Sequence, residues 1–514
     1  MTHAWYASRR VAGGWAGIAA VAFGAGIGEL AAAIIAPASS PTASIGSLLV
    51  DLAPQWAKDL AIEVFGTLDK VALLVGIAIV LALAAAGAGI LEARRPPWGR
   101  LLVLVLGVVG VLAAMTRAEA TGVAWLPSVM AAAGAVTALG LVVRRLPRHE
   151  HEHAADAAAP DRRGFLLWSG GAAALGALAA LGSTAARAGR RAASVVRDAI
   201  TLPHPATTAA PIPPGAELAI DGLAPVITAN ADFYRIDTAL IVPQVNSAEW
   251  SLRIHGMVEE EVTIGWDELL ALPLEESVTT MTCVSNDVGG DLIGNALWLG
   301  YPIRMLLQRA QPKAGADMVL SRSIDGFTAS SPIEALTDDR NAILAVGMNG
   351  EPLPAEHGFP VRMVVPGLYG YVSATKWVIE MEVTTFGDAT AYWTDRGWSE
   401  RGPIKLQSRI DVPRVGAVLG AGDTVIAGVA WQQHVGISGV EVRIDAGPWQ
   451  RATLATAISD DTWVQWSLPW MATPGEHKVR CRAINAEGKT QTGEEQGVVP
   501  DGATGWDVRT IRVS

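Results

Sequence analysis

The distribution of hydrophobic and polar positions divides the chain in two. Up to about residue 185 the chain contains long apolar runs that are almost free of charge. Each run is near the roughly 20 residues that a helix needs to cross a bilayer. The pattern therefore predicts five membrane-spanning helices, at about 11–36, 70–91, 101–120, 122–143 and 164–183. The stretch 44–66 carries scattered charges, and we interpret it as an amphipathic segment on the membrane surface.

Basic residues are concentrated in alternate loops between these runs. Arg94, Arg95 and Arg100 lie between the second and third runs. A second basic group lies between the fourth and fifth runs: Arg144, Arg145, Arg148, Arg162 and Arg163. Basic loops stay in the cytoplasm. With five spans, this rule predicts a multi-pass protein of the cell membrane whose part after about 185 lies outside the cytoplasm.

The fifth run begins with a pair of arginines. Arg162 and Arg163 precede Gly164, Phe165 and Leu166, and this order resembles a twin-arginine export signal at an internal position. That route carries proteins that have already folded around a cofactor. The alternative is that the two arginines only obey the positive-inside rule. Both interpretations give the same topology.

The second part of the chain has mixed patterns. Residues 186–216 form a linker rich in Pro and Ala, which is extended and semi-rigid. From 217 to 410 short strand patterns alternate with short helical ones, which indicates an α+β domain. From 411 to 514 only strands and turns follow, with the spacing of an immunoglobulin-like sandwich. The predicted fold is a transmembrane helical bundle (1–185) followed by these two domains.

Charge and cysteine content narrow the chemistry. A net charge of −11 provides no basic face, so nucleic acid is not an expected partner. The two cysteines are too few for a disulfide framework or a four-thiolate zinc site. Cys481 lies in an alternating strand pattern and is expected in a core. Cys283 lies among small polar residues and is either an inert buried thiol or a soft ligand for one metal atom.

Three blocks of sequence, in a fixed order, carry a resemblance. They are Thr282 to Asn286 with Trp298 downstream, Met348 to Arg362, and Val364 to Trp377. Together with the strand-rich tail, they resemble the molybdopterin-binding and dimerisation domains of the sulfite oxidase family. The resemblance implies a molybdenum atom held by one pterin and by the thiolate of Cys283.

The resemblance also implies the remaining cofactor contacts. It places His357, Arg362, Ser373 and Lys376 at positions that bind the pterin and its phosphate. Asn230, Tyr234 and Ser323 match the family in less well aligned stretches. Taken singly, Arg362 is equally consistent with a carboxylate partner, and His357 with a turn cap. No haem, iron–sulfur or flavin motif is present in the sequence, so molybdenum with molybdopterin is the only redox centre we expect.

The substrate side departs from the family pattern. Val346 occupies the position of an active-site tyrosine, and the arginine that follows the metal cysteine is missing. Besides Cys283, the predicted catalytic residues are Arg235, which matches a family arginine lining the anion pocket, and the neighbours Asn286 and Asp287. Asp287 would repel an anion; the alternative for it is a turn before Gly289. The pattern favours a neutral S-oxide or N-oxide over sulfite.

Two classes of function follow from these residues. The first is a membrane-tethered oxidoreductase that transfers an oxygen atom to or from a small substrate, with sulfite oxidation proper as the alternative within this class. The second is a non-catalytic receptor or scaffold with a degenerate molybdopterin fold. The oxidoreductase would exchange electrons with a separate membrane partner or a quinone. The tryptophans of the last domain predict a homodimer, and the alternative is a tryptophan-rich core: Trp431, Trp449, Trp463, Trp466 and Trp470.

Overall fold

The computed structural model describes residues 2–36, 39–52, 69–117, 122–146, 162–189, 197, 200–239 and 242–514. The chain divides into two compact units. The first is Met1–Ala193 with Ala239–Val242, and the second is Ser194–Thr238 with Pro243–Ser514. The α+β part and the strand-rich part therefore belong to a single unit.

The described part of the first unit is helical. Its helices are α1 (Thr2–Ile35), α2 (Pro41–Leu52), α3 (Asp69–Arg94), α4 (Trp98–Met115), α5 (Leu126–Val143) and α6 (Arg162–Gly189). Five of them coincide with the predicted spans. Over the described residues, α1, α3, α4 and α5 are long and apolar enough to cross a membrane, whereas α6 has a shorter apolar stretch, Leu167–Ser183.

Two sequence predictions fall partly outside the described residues. The predicted surface segment 44–66 begins within α2, and its part after 52 lies outside them. The paired arginines begin α6, but only their backbone belongs to the described part of the chain. The basic residue Arg148 lies outside it as well.

Small residues let the helices of the first unit pack closely. A Cβ on Gly17 of α1 would lie 1.9 Å from the carbonyl oxygen of Ala85 in α3. A Cβ on Gly26 would lie 2.2 Å from the carbonyl oxygen of Gly176 in α6. Between α3 and α4, the buried carboxylate of Glu92 accepts hydrogen bonds from the Nε (2.8 Å) and backbone N–H (3.1 Å) of Arg100. The close backbone contacts at Gly17 and Gly26 are of the kind typical of helices that associate through small residues.

The α+β part contains two sheets and short helices. One sheet has the order β2-β1-β10-β5-β6, with only the β1–β10 pair parallel; the other has the order β3-β4-β7-β8, with β9 also paired to β7. The strands are β1 (Ser251–Gly256), β2 (Val262–Gly265), β3 (Glu275–Thr282), β4 (Ile293–Pro302), β5 (Met318–Ser323), β6 (Thr328–Pro332), β7 (Ile343–Met348), β8 (Glu351–Pro352), β9 (Arg362–Val364) and β10 (Val378–Thr384). The helices are α7 (Trp266–Ala271), α8 (Ile303–Ala310), α9 (Glu334–Thr337) and α10 (Gly370–Ser373).

The C-terminal part is a two-sheet sandwich, which confirms the predicted fold class. The sheet orders are β11-β13-β17-β16 and β12-β19-β18-β14-β15. The strands are β11 (Gln407–Val412), β12 (Val418–Leu419), β13 (Gly422–Trp431), β14 (Ile437–Ile444), β15 (Gln450–Arg451), β16 (Thr453–Leu454), β17 (Val464–Ala472), β18 (Gly475–Asn485) and β19 (Val508–Val513). Because β11 begins at Gln407, the sandwich starts slightly before the predicted boundary at 411.

The sandwich packs firmly against the α+β part. The buried rings of Trp431 and Trp463 share a hydrophobic cluster with Val284, which follows Cys283. Trp463 also donates a backbone hydrogen bond to Thr280 Oγ1 (2.8 Å) in β3. Trp466 lies in the sandwich core. Three of the five tryptophans behind the dimer prediction are therefore explained by packing within the chain, and only Trp449 and Trp470 are partly exposed.

Candidate active site

Cys283 stands at the end of a hydrogen-bonded strand pair. Strand β3 pairs with β4 up to Thr282 and Ile293, and the backbone N–H of Cys283 then bonds to the carbonyl of Leu292 (2.9 Å). The backbone N–H of Ser285 points at the sulfur (3.4 Å). The Cys283 side chain is buried but lines a cavity. Burial raises the pKa of its thiol, and hydrogen bonds from Ser285 oppose this shift.

The turn after Cys283 is held by a hydrogen bond of its own and by two from the sandwich. Asn286 uses its side-chain oxygen to accept the backbone N–H of Leu292 (2.8 Å). Two arginines of the sandwich donate to the next glycines, Arg409 to the carbonyl of Gly290 (2.9 Å) and Arg509 to the carbonyl of Gly289 (3.2 Å). No local sequence pattern indicates these sandwich contacts, because they join residues more than 100 positions apart. They fix the loop that carries the thiol.

A buried cation lies beside this cavity. Arg362, at the start of β9, is 4% exposed, and its guanidinium lies 5.2 Å from the centre of the Trp298 ring. Its hydrogen bonds go to backbone carbonyls, at His357 (3.0 Å) and Met363 (3.4 Å). No carboxylate within the described residues forms an ion pair with it. Burial lowers its pKa to about 10, which leaves it charged at neutral pH.

A second cation, Lys376, lines the same cavity. Its Nζ bonds to Asp237 Oδ2 (3.1 Å) and to the carbonyl of Glu356 (2.9 Å). Burial lowers the pKa of Lys376 to about 8, and Asp237 opposes that shift. The two cations give one end of the cavity a positive charge, which we name the cationic end.

His357 lies behind the cationic end. Its Nε2 faces the carbonyl of Asn230 (3.1 Å), whereas its buried Nδ1 has no hydrogen-bond partner in the described structure. Burial, together with the charges of Arg362 and Lys376, lowers the pKa of His357 to about 4. The imidazole is therefore neutral at physiological pH. Its single N–H is on Nε2, where it donates to the carbonyl of Asn230, so the free Nδ1 is a hydrogen-bond acceptor.

The structure brings together only part of the predicted site. Besides the residues above, Tyr234 and Ser323 line the cavity, whose empty space is about 820 Å³ including its opening to solvent. Ser373 is buried and donates to the carbonyl of Tyr369 (2.9 Å). Asn230 bonds to Asn349 and to the carbonyl of Met348. Neither Ser373 nor Asn230 lines the cavity.

The predicted substrate residues lie elsewhere. Arg235 is directed to Asp237, two residues along (2.9 Å), and its side chain is 39% exposed. Asp287 is exposed, and its carbonyl accepts the N–H of Gly290 in a turn, as the alternative interpretation proposed. Asn286 is used within the same turn. These three do not line the cavity, and the fully buried Val346 of β7 does not line it either. The account of anion repulsion by Asp287 therefore lacks support.

Sequence reasoning also missed residues that do line the cavity. They include two carboxylates, Asp237 and Asp325, and a set of aromatic side chains: Phe233, Phe327, Tyr371, Trp377, Trp393 and Trp398. The one available signal was the aromatic density of 392–398 in a chain with 6% aromatic residues.

The donor set fits a molybdenum–pterin cofactor. A cavity-lining thiol supplies the soft ligand. The unpaired charge of Arg362 suits an anionic group such as a phosphate, and the unsatisfied acceptor Nδ1 of His357 suits an N–H donor such as those of a pterin. Within the described part of the chain, no three His, Cys, Asp or Glu side chains form a group that could hold a metal by itself. A metal here would need the cofactor's own ligands.

Comparison with known proteins identifies related chains. The family model described as "Oxidoreductase molybdopterin binding domain" matches residues 239–393. The chain is 27% identical over 322 residues to "Sulfite oxidase, mitochondrial" of Mus musculus, covering 53% of this chain and 58% of that one. It is 30% identical over 154 residues to "Uncharacterized oxidoreductase YuiH" of Bacillus subtilis, covering 30% of this chain and 74% of that one.

The fold also has a counterpart among solved structures. The crystal structure of the sulfane dehydrogenase SoxCD from Paracoccus pantotrophus aligns with a TM-score of 0.50 at 22% identity, over 58% of this chain and 85% of that one. The chain spans little more than half the length of the mouse relative.

Proposed function

Because the chain belongs to the sulfite oxidase family of molybdopterin-dependent oxidoreductases, we propose that it transfers an oxygen atom to or from a small substrate at the Cys283 cavity, outside the cytoplasm. In the reductive direction an oxide, two electrons and two protons give the reduced substrate and water. In the oxidative direction water supplies the oxygen. When bound, the molybdenum cofactor supplies the two-electron redox chemistry.

The protein residues have separate tasks in this proposal. Cys283 ligates the metal as a thiolate, and coordination offsets the burial that otherwise favours its thiol. Arg362 and Lys376 would bind the phosphate of the pterin, and Nδ1 of His357 would accept a hydrogen bond from an N–H of the pterin. Tyr234 and Ser323 line the same space. Asn230 and Ser373 position this shell through their bonds to backbone and to Asn349.

One observation carries the proposal: Arg362 is buried beside the cavity without a carboxylate partner among the described residues. A buried charge that lacks a counter-ion is costly, so the site is built for an anion. We expect Arg362→Gln to lower the pterin content of purified protein about tenfold or more, since charged hydrogen bonds contribute about 1.5–3 kcal/mol each. Arg253→Gln, which changes an exposed arginine of β1, is the matched control and should leave pterin content unchanged. Equal pterin content in both variants would contradict the assignment.

Sulfite oxidation is the second candidate. The mouse relative carries that name and matches over 322 residues. The absence of Arg235 from the cavity lining argues for a neutral oxide instead. Molybdenum-loaded protein should be screened with artificial dyes in both directions, using sulfite with an oxidised dye and sulfoxides or amine oxides with a reduced dye. Efficient sulfite oxidation with a low Michaelis constant would decide for the second candidate.

The membrane arrangement is part of the proposal. Insertion in a membrane is supported by four apolar helices long enough to span a bilayer, and by basic residues such as Arg94 and Arg145 beside alternate helix ends. Placement of the second unit outside the cytoplasm also requires α6, with its shorter apolar stretch Leu167–Ser183, as a fifth span.

Replacing both Arg162 and Arg163 by Lys keeps the charge but damages a twin-arginine signal. We expect the second unit of this variant, which contains Cys283, to remain in the cytoplasm. Protease accessibility in spheroplasts measures this. Normal export would reduce the pair to a topology signal.

Two partners complete the proposal. Electrons pass to or from a separate membrane redox partner or a quinone, and a water-soluble quinol analogue should support turnover if the quinone is direct. A homodimer through the sandwich is supported by the partly exposed Trp449 and Trp470. Native mass spectrometry of the full chain in detergent should give twice the chain mass of 53.7 kDa. A monomer alone would count against the dimer.

A further inference from the structure

Aromatic side chains line much of the cavity. Phe233, Tyr234 and Trp377 belong to the cationic end. The Phe233 ring lies 5.6 Å from the His357 ring and 5.2 Å from the Tyr234 ring. The Trp377 ring lies 5.5 Å from Lys376 Nζ.

The other aromatic side chains lining the cavity are Phe327, Tyr371, Trp393 and Trp398, and we name these four residues the aromatic wall. Trp398 and Tyr371 are buried, whereas Phe327 and Trp393 are partly exposed. Ile236, which is 45% exposed, also lines the cavity. The wall therefore extends from the buried part of the cavity to its exposed part.

The rings of the aromatic wall are held in place by one another. The centroids of Tyr371 and Trp398 are 5.9 Å apart, and those of Trp398 and Trp393 are 6.0 Å apart. Tyr392 joins Trp393 (5.1 Å) to Phe327 (5.9 Å) from behind. The hydroxyl of Tyr371 donates to the carbonyl of Ser399 (2.8 Å). Such a row of fixed rings binds an apolar group with little loss of side-chain freedom.

The charges of the cavity are unevenly placed for an anionic substrate. In the proposed function, Arg362 and Lys376 bind the phosphate of the cofactor. The other charged side chains lining the cavity are Asp237 and Asp325. The carboxylate of Asp237 already accepts from Lys376 and Arg235, and that of Asp325 accepts from Thr238 (3.2 Å) and the N–H of Phe327 (3.2 Å). Because Lys376 and Arg235 already offset the charge of Asp237, it is the carboxylate of Asp325, beside Phe327, that disfavours a dianion at the aromatic wall.

Trp398 adds one polar feature to the aromatic wall. Its Nε1–H is buried and has no acceptor in the part of the chain that the structure describes. Trp431 and Trp466 share this feature, but neither lines the cavity. A buried donor without a partner is unfavourable. An oxygen atom of a ligand in the cavity would supply the acceptor.

We propose that the aromatic wall selects the substrate: it binds the apolar substituents of a neutral oxide, that is, a sulfoxide or a tertiary amine N-oxide with alkyl or aryl groups. Trp393 and Trp398 are the specificity-determining residues. This inference rests on the proposed function, because it assigns the cationic end to the cofactor and leaves the aromatic wall to the substrate.

The test measures binding separately from turnover. Cofactor-loaded full-length protein, oxidised and without an electron donor, is titrated by calorimetry with methyl phenyl sulfoxide, with N,N-dimethylaniline N-oxide and with sulfate as a non-reacting dianion. We expect Trp393→Ala and Trp398→Ala to weaken sulfoxide or N-oxide binding about tenfold, because each removes a large contact surface. Trp398→Phe keeps a ring and loses only the donor, so its loss should be about threefold. Trp449→Ala, in the sandwich, is the control and should bind like wild type.

The outcomes separate the inference from the function. If the alanine variants fold and bind both neutral oxides as wild type does, or if sulfate binds more tightly than either oxide, the inference is overturned. If only one oxide depends on the aromatic wall, that oxide is the substrate class. Absence of any oxygen transfer, together with binding that still depends on the wall, would reject the proposed function and leave the wall as a ligand site.

Discussion

Cys283 in the α+β part and Cys481 in the sandwich are both buried, and burial raises the pKa of both thiols. Their surroundings differ. Cys481 is fully enclosed by the sandwich core, where it accepts a hydrogen bond from Ser408 (3.3 Å). Cys283 lies on a cavity that also contains Arg362 and Lys376. Burial and thiol pKa therefore do not identify a functional cysteine; the open space and the charges beside it do.

The two histidines of interest repeat this contrast. His357 lies behind the cationic end, and burial lowers its pKa to about 4. His477 in β18 lies at the sandwich surface, and a hydrogen bond to Asp445 (2.8 Å) raises its pKa. Desolvation dominates near the cavity, whereas a partner dominates at the surface. The surroundings of His357 therefore suit a bound ligand, whereas the His477–Asp445 pair contributes to the stability of the fold.

The largest expected effect comes from removing the first thiol. Cys283→Ser should reduce turnover below detection, because a hydroxyl does not replace a thiolate as a soft metal ligand. The unfolding transition should stay close to that of wild type, since the side chain lies on a cavity instead of in a filled core. The measurements are dye-coupled turnover and thermal unfolding on the same preparation. Wild-type activity in this variant would reject the molybdenum assignment.

The second thiol should behave in the opposite way. Cys481→Ala leaves a small void in the core, while the Ser408 hydroxyl keeps Gln491 Oε1 (2.7 Å) as its acceptor, so we expect a loss of about 1 kcal/mol in the free energy of unfolding. Turnover per bound molybdenum should not change. Chemical denaturation and metal-normalised activity check both parts. A loss of specific activity as large as that of Cys283→Ser would show that Cys481 is not a purely structural cysteine.

The smallest expected effect is a pH dependence in the sandwich. Because its folded pKa is raised, protonated His477 stabilises the fold below its unfolded pKa, and this contribution is lost as the pH rises through the folded value. The pKa of Asp445 is lowered, so its contribution is lost on acidification through its folded pKa. The pair is partly exposed, so the effect amounts to a few tenths of a kcal/mol. Thermal unfolding of Asp445→Asn between pH 5 and about 8 should show a weaker pH dependence than wild type. An unchanged pH profile would show that the His477–Asp445 pair does not contribute to the pH dependence of stability.

The sequence was informative where the relevant residues lie close together along the chain. The motifs around Cys283, Arg362 and Lys376 predicted residues that meet at one cavity. The apolar runs predicted helices because length and composition alone determine whether a segment suits a bilayer. The strand spacing after 411 likewise predicted the sandwich.

Predictions that depended on side-chain direction were less successful. Arg235 has a carboxylate two residues away, and this local partner directs it away from the cavity lining. Asn286 is occupied by its own turn. The aromatic wall had no recognisable local motif, because Phe327 and Trp398 come from distant segments. Three of the five tryptophans behind the dimer prediction are buried within the chain. Trp431 and Trp463 pack between the sandwich and the α+β part, and Trp466 lies in the sandwich core.

The most direct measurement is X-ray absorption at the molybdenum edge of purified wild type, Cys283→Ser and Cys481→Ala. If Cys283 is the protein ligand, the serine variant should show one sulfur fewer around the metal than wild type, whereas Cys481→Ala should match wild type. An unchanged sulfur count in Cys283→Ser would show that the metal is held without this thiolate and would contradict the account.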